Sequence, residues 1–154
     1  MERLDNPERN RANIEGRAMT TLDEKTKTLD KLRALLISHP EVVFAYVHGS
    51  SVDEGAHRDI DVAVMIRPDG ISASESFDYA FQLSVDLTRE MGQDVDVQVL
   101  NGAPAGFKNS VFRQGKLLFS RDEARRLELI EMNSLEVMDF HGLSLQFLRE
   151  CAGR

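Results

Sequence analysis

The pattern of hydrophobic and polar positions alternates between helical and strand spacing along the chain. Leucines at helical spacing predict a helix from Thr21, which Pro40 ends. β-Branched and aromatic residues then predict a strand over 41–47, and a second strand is predicted over 59–66. The rest of the chain continues the alternation, with a helix around 77–91, a strand over 94–100, a short helix over 107–113, a strand over 116–120 and a long helical stretch from about 122 to 151.

These elements predict an α/β (α+β) fold built on a small mixed β-sheet. The loop over 51–58 is shorter than a parallel crossover, so the first two strands should pair antiparallel if they are neighbours. The strand over 116–120 is expected at an edge of the sheet. We expect the helices mainly on one face, with the other face open to a substrate. The last helical stretch is long, and Gly142 marks a potential break in it.

Composition bounds the class of protein and the compartment. Residues 1–20 are polar and are predicted to form a flexible or loosely helical tail, ahead of a single domain over 21–154. The net charge of -7 argues against a general affinity for nucleic acid. The single cysteine, Cys151, excludes an internal disulfide and is compatible with a reducing compartment, so a cytoplasmic protein is expected. Neither a signal peptide nor an apolar run of the roughly 20 residues that span a bilayer is evident, so no membrane partner is expected.

Two neighbouring sequence patterns carry the candidate chemistry. Gly49 and Ser50 end the first strand, and Asp59 and Asp61 open the second one. Alternate positions of a strand share a face, so the two carboxylates lie side by side, an arrangement that a divalent cation stabilises. A glycine at a strand end lets the backbone approach a phosphate closely. Together these residues predict a site for Mg²⁺ and a nucleoside triphosphate.

The third strand adds further carboxylates to this picture. Its valines should face the core, which directs Asp94, Asp96 and Gln98 to the other face. If this strand lies close to the second one, three or four carboxylates meet there, and alternation does not choose between Asp94 and Asp96 as the third metal ligand. Ser51 is a candidate N-cap of a helical turn, whose amide groups would favour the β- and γ-phosphates.

The order of these motifs resembles a known family. The segment Gly49-Ser50, then Asp59-Ile60-Asp61 and a later Asp-bearing strand resembles the minimal nucleotidyltransferase branch of the polymerase-beta-like superfamily. The second half, from Val95-Asp96-Val97 and Phe107 through Asp122, is similar to the MntA-type antitoxins encoded beside HEPN ribonuclease toxins. The resemblance covers about residues 21–150. The spacer over 51–58 departs from the family pattern, because it is shorter than usual and lacks the common Arg-Gly pair.

The resemblance implies a protein adenylyltransferase that transfers AMP from Mg-ATP to a tyrosine of a partner HEPN toxin and so inactivates it, within a hetero-oligomer of the two proteins. By position, Asp59 and Asp61 match the metal-binding pair, and Asp96 matches the third acidic residue, which also helps to activate the hydroxyl. Gly49 and Ser50 match the phosphate-binding pair. Two alternatives stay open: a non-catalytic antitoxin that masks the toxin by binding it, and nucleotidyl transfer to RNA or a small molecule.

Overall fold

The computed structural model describes residues 7–49, 59–69, 71–72 and 74–152, with side chains described at residue 19 and from residue 21 onward. Four helices and four strands lie within these ranges: α1 (Pro7–Ile37), β1 (Val42–His48), β2 (Asp59–Ile66), α2 (Glu75–Met91), β3 (Asp94–Val99), α3 (Ala105–Gln114), β4 (Lys116–Ser120) and α4 (Glu123–Ala152). Each predicted element is present. The largest difference is at α1, which begins at Pro7, so a helix runs through most of the segment predicted as a tail. None of the helices in the described ranges is long and apolar enough to cross a membrane.

The four strands form one mixed sheet in the order β3-β2-β1-β4. β1 pairs antiparallel with both β2 and β4, and β2 pairs parallel with β3. The predicted antiparallel pairing of the first two strands and the edge position of β4 are therefore confirmed. The parallel β2–β3 pair needs a long crossover connection, and α2 supplies it.

The first face of the sheet is covered by α1 and α2. Because successive strand residues point to opposite faces, β2 contributes alternate residues to this core. Its main contributors are Leu32 and Leu36 of α1, Ile60, Val62 and Val64 of β2, Leu83 and Leu87 of α2, and Val95 and Val97 of β3.

Helices cover part of the second face as well, whereas the sequence predicted them mainly on one face. The mixed α+β class is confirmed, but α3 and α4 pack on this second face around β1. The reason is that β1 is apolar on both sides: Phe44 and Tyr46 point to the second face, where Phe112 of α3 lies 6.4 and 5.7 Å from their rings. The part of this face at the start of β2 and β3 stays exposed, with Asp59, Asp94 and Asp96 at the surface.

Side chains of α2 hold the outer edge of β3. The backbone N–H of Val95 donates to Thr88 Oγ1 at 3.0 Å, and the N–H of Val97 donates to Ser84 Oγ at 2.9 Å. Both hydroxyls lie on the side of β3 away from β2, where an edge strand otherwise leaves its amides unpaired. These two hydrogen bonds fix β3 relative to α2 and thereby fix the position of Asp96, which lies between the two valines.

Candidate functional site

The structure brings the predicted carboxylates to one face at one end of the sheet. The parallel register pairs Asp61 directly with Asp96, and it pairs Asp59 with Asp94. Neighbouring strands lie about 4.8 Å apart, and cross-strand partners point to the same face. Asp61 and Asp96 are therefore adjacent, and Asp59 follows on the same face two residues away. The prediction that acidic residues from two strands meet on one face is confirmed by the register between β2 and β3.

Gly49 lies directly against one of these carboxylates. Its φ of +65° is in the left-handed region, and a Cβ built on it would lie 2.8 Å from Asp61 Oδ2. A glycine is thus needed both for the backbone conformation and for the close approach to Asp61. Its contact with a phosphate stays a prediction. Ser50 and Ser51 lie outside the described residues.

The carboxylates suit Mg²⁺ by their chemistry. Within the described ranges, no three or more His, Cys, Asp or Glu side chains are grouped so that they could hold a metal ion by themselves. Mg²⁺ is a hard cation that commonly takes only one or two protein carboxylates and completes its shell with water and substrate phosphates. The adjacent pair Asp61 and Asp96 fits such shared coordination, with Asp59 nearby on the same face. Metal binding by these three residues stays a prediction.

Gln98 orients one oxygen of Asp96. It follows Asp96 on the same face of β3, and its Nε2 donates a hydrogen bond to Asp96 Oδ2 at 3.1 Å. Asp96 is thus both the register partner of Asp61 and the recipient of this amide hydrogen bond, whereas Asp94 pairs with Asp59 at the start of the strand. This placement favours Asp96 over Asp94 as the third acidic group.

His48 also belongs to this face, although it was not among the predicted site residues. It is the register partner of Asp61 on β1, so His48, Asp61 and Asp96 form a row across three strands. Its ring packs edge-on against Phe107, with 5.5 Å between centroids, and its buried Nε2 has no hydrogen-bond partner among the described residues. Burial lowers the pKa of His48, and this effect outweighs the opposing influence of Asp61 and Asp96. The signal in the sequence was alternation: Phe44, Tyr46 and His48 occupy every second position of β1.

Comparisons with solved structures identify proteins of the same fold. A toxin–antitoxin complex with AMP-PNP contains a chain with 22% identity and a TM-score of 0.63, and the match covers 79% of this chain and 96% of that one. A MntA–HepT toxin–antitoxin structure matches at 22% identity and a TM-score of 0.54, covering 82% and 93% of the two chains. A tri-AMPylated Shewanella oneidensis HEPN toxin in complex with an MNT antitoxin matches at 20% identity and 0.57, covering 82% and 97%. At these identities the likeness shows the fold.

Sequence comparison defines the family. No curated protein matches the chain. The family model described as polymerase beta, nucleotidyltransferase, matches residues 30–124. This segment is more than half of the chain, and it contains Gly49 together with the strands that carry Asp59, Asp61 and Asp96. The chain therefore belongs to the polymerase beta nucleotidyltransferase family.

Proposed function

We propose that this chain is an antitoxin adenylyltransferase, which transfers AMP from Mg-ATP to a tyrosine hydroxyl of a partner HEPN-family toxin and inactivates the toxin. The family supports nucleotidyl transfer. Solved complexes of the same fold, one with AMP-PNP and one with an AMPylated HEPN toxin, support the choice of nucleotide and acceptor. The observation that carries the proposal is the register pairing of Asp61 with Asp96 beside Gly49.

The reaction is a substitution at the α-phosphorus of ATP. The tyrosine oxygen forms a bond to this phosphorus, the bond to the oxygen bridging the α- and β-phosphates breaks, and pyrophosphate leaves. The proton of the tyrosine hydroxyl passes to Asp96. Gln98 donates a hydrogen bond to Asp96 Oδ2, which leaves Oδ1 as the oxygen that would accept this proton. Gly49 and Ser50, the pair that the family resemblance matches to phosphate binding, would stabilise the pyrophosphate that leaves.

Asp59 and Asp61, assisted by Asp96, would hold Mg²⁺ together with the triphosphate. When bound, this ion neutralises the charge that develops on the phosphate oxygens. The contribution of the protein is to position the carboxylates before the substrate arrives, which the sheet does through the β2–β3 register. Positioning and charge stabilisation supply most of the acceleration in phosphoryl-type transfer.

The test is intact-mass spectrometry of a purified cognate HEPN-family toxin after incubation with this chain and Mg-ATP. We expect the toxin to gain the mass of one or more adenylyl groups, and Asp61→Asn and Asp96→Asn to abolish the gain. Asp94→Asn is the matched control, because it removes an equal charge from the same face of the same strand. Wild-type rates in Asp96→Asn, or an equal loss in Asp94→Asn, would contradict the proposed role of Asp96.

A second candidate is an antitoxin that silences the toxin by binding alone. The exposed apolar side chains of α4 favour a role in binding. In this case toxin activity is blocked without ATP, and the mass of the toxin does not change. Labelled ATP offered to RNA and to small hydroxyl compounds tests the remaining possibility that the acceptor is not a protein.

A further inference from the structure

The second half of α4 carries large apolar side chains that the domain does not cover. In its first half, Leu129 packs into the core of the second face, and Asn133, only 3% exposed, donates from Nδ2 to the backbone oxygen of Ala105. Two side chains of this first half, Leu127 and Met132, are exposed at 53% and 58%. From Leu135 to Ala152 all seven Leu, Met and Phe side chains are 43–74% exposed: Leu135, Met138, Phe140, Leu143, Leu145, Phe147 and Leu148.

These side chains occupy opposite sides of the helix. At about 3.6 residues per turn, Phe140 and Phe147 continue the side that packs on α3 through Asn133, whereas Met138 and Leu145 lie on nearly the opposite side. A helix that is apolar on opposite sides is typical of one enclosed by other elements. The α4 helix of a second copy would cover the apolar side chains on one side of the helix and leave those on the opposite side exposed to water. An apolar groove with two walls covers both.

The size of this exposed half suits a specific interface. Its 18 residues form a cylinder about 27 Å long and about 10 Å across, with a lateral surface on the order of 800 Å². This area is close to the roughly 800 Å² that each partner buries in a standard protein–protein interface. Burying it requires enclosure of most of the circumference, which again favours a groove.

The exposed half also leaves the domain next to the candidate site. Asn133 binds the first residue of α3, and Phe107 in the first turn of α3 contacts His48. His48 is in turn the register partner of Asp61. A protein bound at the start of the exposed half of α4 therefore lies close to the acidic face.

We propose that residues 135–152 of α4 form a docking helix, which the acceptor protein encloses in a long apolar groove, so that the acceptor hydroxyl is held beside Asp61 and Asp96. The identity of the occupant as the toxin rests on the proposed function. The docking helix contains three acidic residues and one arginine, so the rim of the groove should be basic. This is the helix-in-groove mode of recognition, with apolar anchors on successive turns.

The test measures binding of a purified cognate HEPN-family toxin by calorimetry in the absence of ATP, followed separately by AMP transfer. Phe140→Ser with Phe147→Ser should weaken binding by at least about 30-fold, the effect of losing a pair of buried anchors. Phe77→Ser with Phe81→Ser on α2 is the matched control, because these phenylalanines are exposed to similar extents, 77% and 64% against 74% and 65%. The control should bind like the wild type, and far-UV circular dichroism should show that both variants are folded.

A second variant tests the enclosure itself. Met138→Ser with Leu145→Ser alters the opposite side of the docking helix and should also weaken binding at least about 10-fold. Wild-type affinity in this variant would overturn the two-walled groove. Wild-type affinity in the Phe140 and Phe147 variant, an equal loss in the α2 control, or no binding of the toxin by the wild-type chain would overturn the docking helix.

The docking proposal and the proposed function can fail separately. Toxin binding that depends on the docking helix, without any AMP transfer, upholds the docking helix and refutes the adenylyltransferase. Light scattering on the chain alone tests whether a second copy of this chain covers the docking helix instead. If the wild-type chain is a dimer and the variant Phe140→Ser with Phe147→Ser is a monomer, a second copy covers this helix. That result would refute the assignment to the toxin.

Discussion

Replacing Gly49 by alanine tests the link between backbone conformation and the acidic site. The new methyl group would lie 2.8 Å from Asp61 Oδ2, well inside van der Waals contact, so the carboxylate must move. Alanine must also adopt the left-handed conformation at φ +65°, which costs about 1–2 kcal/mol. For a chain of this length this cost lowers the melting temperature by roughly 2–8 °C. A displacement of Asp61 by about 1 Å should reduce AMP transfer by about 100-fold.

Gly92 supplies a matched control for this substitution. It has a φ of +68° at the end of α2, and a Cβ built there has no heavy atom within 4 Å. Gly92→Ala should therefore carry a similar conformational cost without displacing a carboxylate. Thermal unfolding and the rate of AMP transfer to the toxin are measured for both variants. If Gly49→Ala transfers AMP at the rate of Gly92→Ala, the contact with Asp61 does not matter for catalysis and the reasoning is refuted.

Three further predictions concern the elements around the site. Ser84→Ala with Thr88→Val removes the hydrogen-bond acceptors of two β3 amides. The free energy of unfolding in urea should fall by about 2–4 kcal/mol, and hydrogen exchange in β3 should become faster. Unchanged exchange would contradict the role of these hydroxyls. Burial raises the pKa of Glu41, but hydrogen bonds from its backbone and from Tyr79 outweigh this effect and lower the pKa. Wild-type stability should therefore fall as the pH drops below about 4.5 and through the lowered pKa, and Glu41→Gln should flatten this loss in thermal unfolding curves. Gly142→Ala meets no atom within 4 Å and should raise the helicity of α4 by circular dichroism, with a gain of about 1 kcal/mol in helix propensity; lower helicity would contradict a continuous helix at this position.

Most of the fold follows from local patterns in the sequence. Runs of β-branched and other apolar residues located all four strands, and the short spacing between the first two strands correctly predicted that they pair antiparallel. The helix α1 begins about four turns before the predicted start at Thr21, because residues 7–20 lack the apolar spacing on which the prediction rested. The helices α3 and α4 were predicted, but their position on the second face was not. The prediction treated β1 as a single apolar run and did not separate its two faces. Phe44 and Tyr46 point to the face opposite Val47, and covering them requires a second layer of helices.

The candidate site was predictable up to the register between strands. Alternation placed Asp59, Asp61, Asp94 and Asp96 on one face. It does not determine the register between β2 and β3, because a shift of one strand by two residues keeps the same side chains on the same face. The structure selects the pairing of Asp61 with Asp96, which depends on contacts between α2 and β3 that are distant from the motif. The three-dimensional neighbourhood of His48 likewise depends on Phe107, a residue far along the chain that no local pattern relates to it.

The covering of the β3 edge by Ser84 and Thr88 restricts the route by which an acceptor reaches Asp96. Two outward amides of this strand already have partners, so an extended peptide cannot add as a fifth strand beside the acidic residues. In the proposed transfer, the acceptor hydroxyl would instead reach Asp96 from the exposed face of the sheet, on a side chain that projects from a folded surface. Recognition then depends on the shape of the whole partner, and short peptides copied from the modified sequence should be poor substrates.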